Sequence, residues 1–154
     1  MESPAITALD AAGLSYALVE HGQVGSVAEA AEARGVEIPD VVKTIVIRRG
    51  EADHVFVLVP GDRVIAWPKL RTLLGVNRLS LPAAAEAKAA TGYERGTITP
   101  FGSTTPLPVI ADERLRGRRI SLGAGVAGAA VLVDADAALV ALSATVADVT
   151  TPEA

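Results

Sequence analysis

A chain of 154 residues is long enough for one domain with a real core, and half of its residues are apolar. Aromatics make up only 3% and cysteine is absent, so the core must use small and β-branched side chains, and disulfides, thiolate metal sites and a cysteine nucleophile are excluded. The net charge of −4 is unevenly spread, with −6 over residues 1–42, +6 from Lys43 to Arg119 and −4 beyond. An acidic protein can therefore still present a locally basic face of the kind that phosphate contact requires.

No basic segment followed by an apolar run opens the chain, and Ile45–Ile47 and Val55–Val59 are too short to cross a bilayer. The expectation is a cytoplasmic protein with no membrane partner, forming a single domain over 1–154.

In chain order, Ser3-Pro4 followed by Ile6, Leu9 and Gly13 predicts a short capped helix. Tyr16 to Glu20 follows as a strand. Ser26 with Glu29 is a capping box that opens an alanine-rich helix ending at Gly35. Pro39 and Asp40 break the chain. Val41 to Arg48 and His54 to Val59 are β-branched runs separated by a polar segment with Gly50, a hairpin pattern. Pro68 starts a helix closed by Gly75, and Pro82 starts another carried by Ala83 to Ala90. Strands are expected at Leu107 to Ala111, Arg118 to Leu122 and Ala130 to Val133. Asp134 caps a last helix through Leu142, and Thr145 to Val149 closes as a strand. This irregular alternation predicts an α/β fold with a mixed, mostly antiparallel sheet and surrounding helices.

Between the fourth helix and the later strands lies Thr91-Gly92-Tyr93-Glu94-Arg95-Gly96-Thr97-Ile98-Thr99-Pro100-Phe101-Gly102. Three glycines and a proline make a turn with aromatic plugs, or a loop whose backbone comes close to a ligand. Gly123, Gly125 and Gly128 reproduce the spacing of a dinucleotide fingerprint, but a strand rather than a helix follows them, so the nucleotide reading is rejected. The two histidines, His21 and His54, have no partners at metal spacing, so no metal or other cofactor is expected. No Gly-x-Ser-x-Gly elbow presents a nucleophile. Lys43 stands out, because strand alternation places its ammonium on the face shared by Val41, Ile45 and Ile47. It is either snorkelling from the strand end or aimed into a pocket for an anionic ligand.

Taken together these stretches resemble the YbaK-like, prolyl-tRNA-synthetase-associated aminoacyl-tRNA editing domain. The matching residues are Glu20-His21, Val42-Lys43-Thr44 and Val57-Leu58-Val59-Pro60. They continue with the Gly92-Tyr93…Gly96…Pro100-Phe101-Gly102 loop, Leu107-Pro108-Val109-Ile110 with Asp112, and the late glycine cluster. The resemblance covers nearly the whole chain. It implies a trans-editing hydrolase that cleaves the aminoacyl ester of misacylated tRNA, with Cys, Ala or Ser carried on proline tRNA. Its implied partners are the tRNA acceptor end and prolyl-tRNA synthetase. It implies Lys43 as the key catalytic residue. Because the substrate's α-amino group can be cationic, the expected role of Lys43 is electrostatic anchoring of the terminal phosphate or the carbonyl oxygen rather than general-base action. Thr44, His21, Gly92, Tyr93, Gly96, Pro100, Phe101, Gly123 and Gly125 are the implied substrate-binding set. Two departures stand out: Val19 occupies the place where a tyrosine often precedes Glu-His, and Gly123 and Ala130 stand where some members carry Ser and Asp. A catalytically weak relative that binds tRNA, and an esterase for small acyl esters, are the alternative expectations.

Overall fold

Local signals set most of the element boundaries. In the computed structural model, which describes residues 1–154, the Ser3 hydroxyl accepts from the Ile6 N–H at 3.2 Å and opens α1 (Pro4–Ala11). Ser26 does the same for α2 (Val27–Arg34), accepting from the Glu29 N–H at 3.1 Å. The Glu29 carboxylate reaches back one residue beyond the capping-box partner, to the Gly25 N–H at 2.6 Å. Gly35 and Gly75 end α2 and α3 (Trp67–Leu74) in the left-handed conformation, with φ of 70° and 68°. Asp134 caps α5 (Ala135–Ala141) through the Ala137 N–H at 2.9 Å.

The strands form three sheets. Strand β1 (Tyr16–Glu20) pairs antiparallel with β7 (Ala129–Asp134), which pairs antiparallel with β6 (Arg119–Gly123). The hairpin β2 (Val42–Gly50) and β3 (Asp53–Pro60) continues into β5 (Val109–Asp112) and β8 (Thr145–Ala147), these last two joining in parallel. A two-stranded ribbon joins β4 (Arg63–Ile65) to β9 (Thr150–Pro152). The fold is thus mixed and mostly antiparallel, with α4 (Ala84–Thr91) following α3.

Alternation along β2, β3 and β5 divides the core. Val42, Val46, Phe56, Leu58, Val109 and Ala111 face the β1–β7–β6 sheet, where they meet Ile120, Leu122, Val131 and Val133. Ile47, Val55, Val57, Val59 and Ile110 face the other way, onto Ile65, Leu70 and Val149. With both faces covered, β3 is buried from His54 to Pro60, so its run is continuously apolar rather than alternating.

Two expectations change. The closing strand stops at Ala147 rather than Val149, and an unexpected strand, β9, follows where the buried Asp112 carboxylate accepts from the Val149 N–H at 3.3 Å and the Thr150 hydroxyl at 2.8 Å. Val41 does not share a face with Lys43; it precedes β2 and packs with Ala30 and Ala31 of α2.

Candidate active site

Strand β2 lies at the edge of its sheet, and its outer edge is pinned at two points. Val41 bridges to Ser121, and Arg48 exchanges hydrogen bonds with Ser80 at 2.8 and 3.1 Å. In an antiparallel pair, alternate residues turn their main-chain groups outward. Since Arg48 points out, so do Val46 and Thr44, and no strand pairs with them there. Beside this bare stretch lies a cleft of about 570 Å³. Its walls are residues 42–46 of β2, Leu81 to Ala84 and Ala87 at the start of α4, Arg95, Gly96 and Ile98 of the glycine loop, Gly123 at the end of β6, and Arg34 at the end of α2.

The cleft is cationic. Arg34, Lys43 and Arg95 line it and no Asp or Glu does. None of the three forms an ion pair with a carboxylate. The nearest acid in sequence to Arg95, Glu94, is held by Lys88 at 2.6 Å. The Lys43 ammonium donates to the Arg63 carbonyl, which fixes the side chain while leaving its charge unneutralised and two of its protons free. Arg34 donates to Ser121 Oγ at 3.1 Å and to His21 Nε2 at 3.4 Å. Burial pulls the Arg34 guanidinium below its ordinary pKa. A desolvated cation with no anion beside it is poised for an anionic ligand. The Thr44 hydroxyl is buried without a hydrogen-bond partner, as is that of Thr99.

Of the residues singled out from the sequence, Lys43, Thr44, Gly96 and Gly123 line the cleft. His21 stands behind Arg34. Gly92 ends α4 with φ of 81°, and a Cβ there would lie 2.5 Å from Thr104 Cγ2. Tyr93 is buried and donates to the Phe101 carbonyl at 2.6 Å, so the loop's aromatics plug the core. Pro100 is buried, and Gly125 lies against the Tyr93 ring. The sequence reading missed Arg34, Arg95 and the α4 start. Arg34 was visible in one respect: it follows Ala30 and Ala31 by four and three residues, which puts it on the docked face of α2.

No group of three or more His, Asp or Glu gathers where a metal ion could sit, and no helix is long and apolar enough to cross a membrane.

Known proteins resemble this chain in sequence and fold. Residues 21–139 match the model of the aminoacyl-tRNA editing domain. The multifunctional Ser/Thr-tRNA deacylase ProXp-y of Escherichia coli (strain K12) is 29% identical over 133 residues, 83% of this chain and 80% of that protein. A protein of Enterococcus faecalis (strain ATCC 700802 / V583), provisionally named a Cys-tRNA(Pro)/Cys-tRNA(Cys) deacylase, EbsC, is 27% identical over 124 residues, 80% of this chain and 76% of its own. The proline–tRNA ligase of Shouchella clausii (strain KSM-K16) is 34% identical over 104 residues, 67% of this chain but only 18% of the ligase. Among solved structures, a provisionally assigned trans-editing enzyme for prolyl tRNA synthetase superposes with a TM-score of 0.85 at 28% identity, covering 100% of this chain and 99% of that one. The family match spans the bare edge of β2, the glycine loop and Gly123, and the chain belongs to the aminoacyl-tRNA editing domain family.

Proposed function

We propose that this protein hydrolyses the ester joining a mischarged amino acid to the 3′ end of tRNA, acting on Cys-, Ser- or Ala-charged proline tRNA. The observation that carries this reading is the cleft itself, with three cations, no carboxylate and a bare strand edge. A volume of about 570 Å³ suits a small-molecule site and would take an aminoacylated terminal nucleoside while leaving the duplex outside.

Ester hydrolysis passes through a tetrahedral oxyanion, which gains from fixed donors aimed at it. The outward N–H groups of Thr44 and Val46 and the Lys43 ammonium are the donors available here. The lining holds no His, Asp or Glu to act as a protein base, so a positioned water assisted by substrate groups makes the attack. Lys43 carries a sign constraint. The α-amino group of the substrate can be cationic, so the ammonium must face the ester oxygen or the terminal phosphate, not that amine. The unpaired Thr44 hydroxyl favours a small polar side chain, serine or cysteine, over alanine. Prolyl-tRNA synthetase is the natural partner in this reading, since family members occur within proline–tRNA ligases.

The test is deacylation of Cys-, Ser-, Thr- and Ala-charged tRNA by the wild type and by Lys43→Ala. Turnover of at least one mischarged tRNA, reduced roughly 100-fold or more in the variant, is the expected result. Full activity in Lys43→Ala removes the lysine from the mechanism. Binding without turnover reduces the protein to a tRNA-binding module, and activity confined to small esters removes tRNA altogether.

A further inference from the structure

We infer that a second basic groove, lying beyond the cleft along the same strand, holds the sugar-phosphate backbone of the tRNA acceptor stem. The inference rests on the tRNA reading above. The groove has a volume of about 570 Å³ and is formed where the far end of β2 meets the connection between α3 and α4. Arg48, Arg49, Arg71 and Arg78 line it together with Asn77 and Ser80, and no acid is among its walls. Arg48 and Arg49 are steadied from outside, by Glu86 at 3.5 Å and Asp53 at 3.0 Å. Four arginines thus line one groove in a protein whose net charge is −4, and two of them, Arg71 and Arg78, have no carboxylate partner. Chance solvation of scattered arginines does not require this arrangement.

The groove and the cleft lie on either side of one stretch of chain. Asn77 to Ser80 line the groove and Leu81 to Ala84 line the cleft, so one unbroken segment runs from one to the other. The two hydrogen bonds between Arg48 and Ser80 clamp that segment to β2 at the junction. From Lys43 to Arg49 the strand advances about 20 Å, at roughly 3.3 Å per residue. A tRNA whose 3′ end sits at Lys43 and which leaves the cleft along β2 carries its acceptor stem past these arginines. Backbone rather than bases is the matching ligand. The walls include no aromatic side chain on which a base could stack, and guanidinium groups pair bidentately with phosphate oxygens. Contact of this kind is indifferent to stem sequence.

The experiment compares wild type with the double variant Arg71→Gln/Arg78→Gln, in which Arg71 is half-buried and Arg78 exposed, with thermal melts confirming the fold. Affinity is measured for intact tRNA and for a 3′-aminoacyl nucleoside mimic, across a salt series. The wild type should bind tRNA far more tightly than the mimic. In the variant that advantage should shrink roughly tenfold or more, and the slope of log affinity against log salt should fall by about one per arginine removed. An unchanged tRNA affinity and salt slope overturns the groove while leaving the deacylase reading intact. A wild type that hydrolyses small esters yet shows no preference for tRNA over the mimic overturns both.

Discussion

The Arg34 guanidinium donates to Ser121 Oγ at 3.1 Å, joining the end of α2 to the middle of β6 beside the cleft. Ser121 is fully buried, so the contact fixes where the cation stands. The guanidinium is partly desolvated with no carboxylate beside it, which points to an anionic ligand. Arg34→Ala should therefore raise KM for charged tRNA about tenfold or more, and should also cost about 1–3 kcal/mol of stability because the buried Ser121 hydroxyl loses its partner. Ser121→Ala should give a weaker effect of the same kind, because the cation remains but is less well held. Steady-state kinetics alongside thermal melts checks both, and an unchanged KM in Arg34→Ala would remove the residue from the site.

Two glycines of the same loop should respond in opposite ways. Gly96 has φ of 89° and open space around a would-be Cβ, and it lines the cleft. Gly96→Val should cost roughly 1–2 kcal/mol in backbone strain, and its side chain should obstruct the substrate, so kcat/KM falls steeply in a folded protein. Gly92, at φ of 81°, would drive a Cβ into Thr104, 2.5 Å away. Gly92→Ala should depress the melting temperature more than it depresses activity per folded molecule. Melting curves paired with deacylation rates decide; normal rates in Gly96→Val would return that segment to a plain turn.

Tyr93 supplies a pH prediction. Its phenol is buried and donates to the Phe101 carbonyl, and burial pushes its pKa up to about 12. The unfolded tyrosine ionises near pH 10, so the native state keeps a proton that the unfolded state releases. The associated stability is full below about pH 10 and is lost as pH rises through about 12. Tyr93→Phe should destabilise at neutral pH by about 1–2 kcal/mol, since the Phe101 carbonyl loses its donor. It should also flatten the loss of stability between pH 10 and 12. Denaturant unfolding of both proteins over that range measures the difference.

The caps and stops were legible because they are local: Ser3, Ser26 and Asp134 read as N-caps, Gly35 and Gly75 as left-handed ends, and all five act so. The ribbon of β4 and β9 was not, because two strands of three residues each are too short to carry a period, and what holds Thr150 is Asp112, 38 residues away. Within the loop, the sequence placed Gly92 and Gly96 together in the substrate-binding set, whereas the structure turns Gly96 to the cleft and Gly92 to Thr104. Arg34 was hidden for a related reason. An arginine in an alanine-rich helix reads as solvated until the strand carrying Ser121 is brought against it.

The bare edge of β2 has a second consequence. Unpaired outward backbone at a sheet edge is a template on which a foreign strand can grow. Here the bridges at Val41 and Arg48 leave only a short gap, too brief for a stable ladder, and Lys43, Arg34 and Arg95 charge its surroundings. The exposure that offers donors to an ester is thus the same exposure that invites self-association. The fold tolerates it by keeping it a few residues long.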